Sequence, residues 1–376
     1  SCKFIITLYR SSLIAFERQV ESSIINITSI SLRYMIALGI MYIFNLGLYF
    51  YLIFQLIVSI MELLIYSIKL RSSVRFSQYA FLKGASFRPL KEVYRFSGII
   101  ALTSGIWILT SQIDRILILG NFSLSDFGYY APIIAVASLI QILIAPLSTA
   151  LRPKINVEYQ NLDHSKGDKL ILLTTRIVAF IAIPIASTIF FCSKFIVEFM
   201  LNIEISPSTN HFSILLKYVA LAYLCTAFSS IIYFYQVALG RLKWHLISAV
   251  LHPIIYIPMV YILLNNFGII GVGYSLLISN AFTLLIFSII VLNVYKYRYI
   301  ITWYKDIFIL IAFVFIPLSI LYKIFNNIIL IDYIEIFLIL MFSFIFSFYA
   351  FLYISYKRFV LRNPIKFFKK ELSEVR

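Results

Sequence analysis

Long apolar runs, each near the length that crosses a bilayer, recur along the whole chain, and the loops between them are basic at every second interval. A spanning helix needs about 20 largely apolar residues, because roughly 30 Å of hydrocarbon is crossed at about 1.5 Å per residue. On that measure about ten spans are expected. They run from Ser23 to Phe44, Leu48 to Tyr66, Ser97 to Leu119, Phe127 to Ala150 and Leu170 to Phe191. Five more run from Ser213 to Leu239, Leu246 to Leu264, Ile269 to Val294, Ile307 to Tyr322 and Asp332 to Tyr356. Composition agrees: 62% of the 376 residues are apolar and 13% charged, against roughly 45–50% and about 25% in a soluble domain. So few charges cannot build a water-facing surface. The expected fold class is all-α, a polytopic transmembrane helix bundle.

Positively charged loops stay cytoplasmic, so Lys and Arg set the orientation. Basic loops hold Lys69 to Arg95, Arg152 to Lys169, Arg241 and Lys243, and Lys296 to Lys305, while the intervening loops are short and carry few positive charges. Both ends of this chain are therefore expected in the cytoplasm. The net charge of +16 would suit nucleic acid only as a solvated patch, and here the basic residues alternate with apolar runs. Residues 69–96 mix Phe76, Tyr79, Phe81, Leu82 and Phe87 with basic residues. That stretch reads as an amphipathic linker on the inner leaflet, either a lipid anchor or a hinge.

Several chemistries lack their residues. Cys2, Cys192 and Cys225 are far apart with no CxxC pair, which leaves neither a disulfide framework nor a zinc site and makes packing their expected role. No Gly-rich phosphate cradle ends in Lys and Ser or Thr, and His164, His211, His245 and His252 show no metal-binding spacing. Neither a cofactor nor a metal is expected. Asp163, His164 and Asp168 cluster among Asn161, Ser165, Lys166 and Gly167, and are expected to lie in a solvated loop. No connection is long enough for a soluble catalytic domain, so the chain is not expected to be an enzyme.

Polar residues within the spans carry more information. A charge near the bilayer centre costs about 2.5–3.5 kcal/mol on insertion scales, so one that persists usually meets water or a partner. Ser22, Asn26, Ser29 and Arg33 recur at helical spacing along the first span, and Gln55, Ser59, Glu62 and Tyr66 along the second. The third span carries Ser104, Trp107, Ser111 and Arg115, with Thr103, Thr110 and Asp114 beside them. The seventh sets His245, His252 and Tyr256 on one face, with Pro253 and Pro258 able to bend it. Packing or a buried hydrogen bond is the plainer role for the histidines. Arg176 and Lys217 lie near span ends, where long side chains snorkel. Together the polar faces predict a hydrated passage with cationic patches, in which guanidinium pairs with phosphate and neutral polar groups meet sugar hydroxyls. An ion pair that only joins helices is the alternative.

Asp114-Arg115-Ile116-Leu117-Ile118-Leu119-Gly120, then Phe127-Gly128-Tyr129-Tyr130, Ala145-Pro146-Leu147 and Arg152-Pro153 form an ordered series of motifs at span ends. Ala238-Leu239-Gly240-Arg241 and Phe267-Gly268-Ile269-Ile270-Gly271 continue it. The series resembles the bacterial O-antigen and capsular polysaccharide-unit flippases, in the superfamily that holds multidrug extruders and peptidoglycan-precursor flippases. The resemblance implies two six-helix lobes around a cavity open alternately to each side of the cytoplasmic (inner) membrane. The cargo would be an undecaprenyl-diphosphate-linked sugar unit. On that pattern residues 1–68 close the N-terminal lobe, 69–96 link the lobes, 97–294 form the C-terminal lobe, 295–356 add two helices and 357–376 make a basic tail. About four early helices would be missing, in keeping with Ser1 in place of Met. Arg33, Arg115 and Arg176 would then attract diphosphate or acidic sugars, His252 and Gln141 would line the cavity, and Glu62 and Asp114 would be counter-charges able to couple transport to a cation gradient. Membrane lipids, a polysaccharide polymerase and a chain-length regulator would be partners, with no nucleotide. Two rivals are a cation-coupled drug or metabolite exporter and a membrane polysaccharide polymerase; the latter would want a larger external loop than 194–211.

Overall fold

The computed structural model describes residues 2–15, 18–45, 47–73, 87–160, 164–202, 210–325 and 332–355. Among them the chain is helical, with no strand. The tail at 357–376, most of the linker, Asp163 and Glu204 lie outside the described residues. Among the described residues, ten helices are long and apolar enough to cross a membrane, so the polytopic all-α bundle expected from the sequence is the architecture found. The chain divides into two compact units, Ser1–Lys91 and Glu92–Arg376.

In the first unit, α1 (Cys2–Ala15) precedes α2 (Gln19–Ser31), a π-helical turn (Leu32–Ile36), α3 (Ala37–Phe44) and α4 (Leu48–Ser73). The helix α1 was not expected as an element. It is 14 residues long, too short to span, and Lys3, Arg10, Ser11 and Ser12 interrupt its apolar count. Ile6 and Leu13 nevertheless bury against Ile25 and Tyr66.

The second unit contains α5 (Phe87–Asn121, whose first turn belongs to the first unit), α6 (Leu124–Gln160), α7 (His164–Phe191) and α8 (Ser193–Leu201). It continues with α9 (Asn210–Ala238), α10 (Lys243–Phe267), α11 (Ile270–Phe282), a second π turn (Thr283–Phe287), α12 (Ser288–Val294), α13 (Ile300–Phe325) and α14 (Asp332–Ser355). At the centre α9 packs on α6, α7 and α11. Its buried Ala220, Ala222 and Ala227 let neighbouring backbones approach, the usual device where lipid removes the hydrophobic drive for helix association. Opposite it, Gly273 of α11 packs so closely that a methyl group there would press on Leu215 and Tyr218. The turn between α10 and α11 falls at Gly268, whose φ of +62° lies in the region that favours glycine.

Helix α13 starts at Ile300, earlier than the expected Ile307, because Trp303, Lys305 and Asp306 dilute the apolar count. Trp303 and Asp306 are in fact buried. Trp303 Nε1 donates to Thr175 Oγ1 of α7 at 2.7 Å, and Arg176 Nε donates to Asp306 Oδ2 at 2.8 Å. A hydrogen bond and an ion pair thus bind α13 to α7. Lys217, the other span-end cation, lies over the Phe190 ring.

Asp168 is likewise not in a solvated loop. It is buried within the first turns of α7, where Tyr159 Oη donates to its Oδ1 at 2.6 Å and the Arg298 backbone N–H to its Oδ2 at 3.0 Å. Tyr297 Oη donates to the Asp168 carbonyl at 3.0 Å. Burial, and then the Asp168 carboxylate, push the Tyr159 phenol well above the ordinary tyrosine range, so it stays a donor. The carboxylate ties α6, α7 and the 295–299 turn together. Asp168→Ala is expected to cost about 1.5–3 kcal/mol, since a charge-accepting bond is lost and an N–H orphaned. Thermal unfolding of the detergent-purified protein reads this; an unchanged midpoint would remove the latch from the account.

Candidate functional site

The first unit carries a buried ion pair. Along α2 and its π turn, Ser22, Ser29 and Arg33 are buried, while Ile24, Ile27, Tyr34 and Met35 are exposed. The apolar face thus looks out, as lipid requires, and the polar stripe looks in toward α4. Arg33 Nη2 donates to Glu62 Oε2 at 2.7 Å and Nη1 to Gln55 Oε1 at 3.3 Å. Gln55 Nε2 returns a bond to the Arg33 carbonyl at 3.0 Å. That carbonyl is open because in the π turn the Ala37 N–H, its ordinary helical partner, reaches the Leu32 carbonyl instead. Tyr66 Oη closes the interface on the Ser22 carbonyl at 3.1 Å. The two stripes therefore face each other and satisfy one another. At 6% and 9% exposure, Arg33 and Glu62 are a desolvated pair.

In the second unit, Asp114 is buried and accepts from Tyr130 Oη and, at 2.9 Å, from the Arg115 N–H. The Arg115 side chain is half-buried and donates to Gln112 Oε1 at 3.2 Å. Gln141 Nε2 donates to the Tyr223 carbonyl at 3.0 Å, joining α6 to α9, and Arg176 is taken by Asp306.

The same unit carries a half-open cavity of about 440 Å³, within the roughly 300–1,000 Å³ of ligand pockets. Helix α5 contributes Thr103, Ser104, Trp107 and Thr110, and α9 contributes Thr226, Ser229, Ser230, Tyr233 and Gln236. Helix α10 adds His245, Ser248, Ala249 and His252; the end of α11 and the second π turn add Asn280, Thr283 and Phe287, with Ser288 beyond. Among the described residues, no Asp, Glu, Lys or Arg is in the lining. Of the residues singled out from the sequence as site candidates, His252 is in this wall, whereas Gln141, Asp114, Arg115 and Arg176 are outside it. Trp107 and Tyr256 flank the His252 ring, with centroids 5.8 and 5.6 Å away. Neither His252 nitrogen has a hydrogen-bond partner, and Ser229 Oγ and Gln236 Oε1 also lack one. Such groups cost about 1–3 kcal/mol each when left dry, and these lie behind the cavity surface rather than on it.

The α9 contribution was missed by sequence reasoning. Its signal was present: Thr226, Ser229, Tyr233 and Gln236 recur at three- and four-residue spacing.

A family model described as polysaccharide biosynthesis protein matches residues 4–208, more than half of the chain. No curated protein matches it. A solved structure described as lipid II flippase MurJ, inward closed conformation, superposes with a TM-score of 0.57 at 16% identity, covering 88% of this chain. The match spans 66% of that structure's chain, just under two thirds of its length, and at this identity the likeness is one of fold.

Proposed function

We propose that this chain, which belongs to the polysaccharide biosynthesis protein family, is a multi-pass flippase that carries lipid-linked oligosaccharide units across the bacterial inner membrane. The observation that carries this reading is the cavity among membrane-spanning helices, lined by apolar side chains together with hydroxyl, amide and imidazole groups and, among the described residues, by no charged one. A passage through lipid needs groups that replace hydration, and a sugar head group needs more of them than a small apolar solute. The lipid tail stays in the bilayer while the head group passes by alternating access. The chain acts as a transporter and not as an enzyme.

In this reading Arg33, Arg115 and Arg176 supply positive charge for diphosphate or acidic sugars, and Glu62 and Asp114 hold it balanced and couple movement to a proton or sodium gradient. Because Glu62 and Asp306 already neutralise Arg33 and Arg176, each would have to exchange partners during the cycle. O-antigen, capsule or exopolysaccharide assembly is the pathway class, with a polymerase and a chain-length regulator as partners and both ends of this chain in the cytoplasm. Complementation of a flippase-null strain with the complete reading frame tests the reading. Lipid-linked units should reach the outer face and restore surface polysaccharide; their accumulation inside would refute it.

A further inference from the structure

We infer that the cavity of the Glu92–Arg376 unit is a subsite for an uncharged sugar ring and excludes the diphosphate, an assignment that rests on the flippase reading above. The argument is one of donors and acceptors. A diphosphate offers only acceptor oxygens and is bound by N–H groups or cations. A neutral sugar offers many hydroxyl donors. Six hydroxyls of this wall have already spent their protons on their own helices. Thr103, Thr110, Thr226, Ser230, Ser248 and Thr283 each donate to a backbone carbonyl three or four residues back, at 2.7–3.0 Å.

The oxygens of these lining residues therefore keep only lone pairs to offer. Asn280 spends an N–H in the same way, on the Leu276 carbonyl at 2.8 Å. A wall rich in acceptors and free of cations repels phosphate oxygens and accepts hydroxyl protons. The Trp107 and Tyr233 rings in the lining offer flat faces to the C–H side of a sugar. Among the described residues, Arg152 packs its guanidinium over the Tyr233 ring at 5.7 Å but is not in the lining. Positive charge thus backs the wall without entering the cavity.

The test uses the purified full-length protein and the fluorescence of its tryptophans, of which Trp107 lies in the wall. Maltose, lactose and N,N′-diacetylchitobiose are titrated as neutral probes, and sodium pyrophosphate as the anionic one. At least one disaccharide should give a saturable change, pyrophosphate should give none, and Thr283→Val or Thr226→Val should each weaken saccharide binding about five- to tenfold. Trp107→Phe should remove the optical change. No response to any disaccharide, an equal or stronger response to pyrophosphate, or saccharide binding indifferent to both lining variants would each overturn the subsite. Successful complementation without saccharide binding sinks only this inference; saccharide binding without complementation sinks the flippase reading instead.

Discussion

Arg33→Leu alone should sharply lower the folded, membrane-inserted protein, whereas Arg33→Leu with Glu62→Leu should restore most of it. The single change leaves the Glu62 carboxylate buried without its 2.7 Å partner and deprives Gln55 Oε1 of its donor. Stranding one member of a buried pair costs about 3–5 kcal/mol, while replacing both by apolar side chains is often neutral or better. Against a total stability of about 5–15 kcal/mol, the single loss is severe. Membrane abundance and the unfolding midpoint in detergent read the difference. The double variant also separates scaffolding from transport: if the pair exchanges partners during the cycle, it folds yet fails to restore surface polysaccharide. A double variant as unstable as the single one would mean the two charges are not energetically coupled. Arg115→Ala asks the same functional question at lower structural risk, since that side chain is only half-buried, and it should abolish surface polysaccharide at matched protein level.

Ala249→Trp should abolish transport while leaving the protein folded. Ala249 lies in the cavity lining and makes no polar contribution, so an indole there occupies the space a head group would use and removes none of the hydrogen-bonding atoms. Overpacking is costly where density is already native, but here about 440 Å³ stands open, so the ring can enter it. The adjacent Val250 is 40% exposed and serves as the control, because Val250→Trp adds the same bulk outside the cavity. Surface polysaccharide should fall roughly tenfold or more with Ala249→Trp and stay near wild type with Val250→Trp, a cavity of this size being filled in one case and untouched in the other. Equal activity of the two variants would show that cargo does not use the cavity.

The parts of this molecule that were legible in advance are those in which charge is expensive. Arg33 and Glu62 stood out because an intramembrane charge must have a partner, and their stripes, at helical spacing, do meet. The spans were legible because bilayer thickness sets their length. The cavity was only half legible. Thr103, Trp107, Thr110 and His252 were marked, yet the α9 residues were not, since a Ser or Thr in a lipid-embedded helix commonly bonds its own backbone and gives little sign of facing a space. Ser229, whose hydroxyl has no partner, differs in sequence in no way from Ser230, whose hydroxyl bonds the Ala227 carbonyl. Asp168 and Asp306 were misjudged or unmarked for a related reason: besides the Tyr159 hydroxyl, nine residues from Asp168, their partners are the Arg298 N–H and the Arg176 guanidinium, both about 130 residues away, and no local pattern predicts such long-range pairing.

Reconstitution tests the transport account most directly. A polyprenyl-diphosphate disaccharide is placed in vesicles containing the full-length protein, and the fraction reached over time by an impermeant oxidant of sugar diols is followed. The account predicts that vesicles with wild-type protein expose the inner-leaflet pool well beyond protein-free vesicles, and that Ala249→Trp returns exposure to the protein-free level. Equal exposure with and without protein, or full exposure with Ala249→Trp, would contradict it.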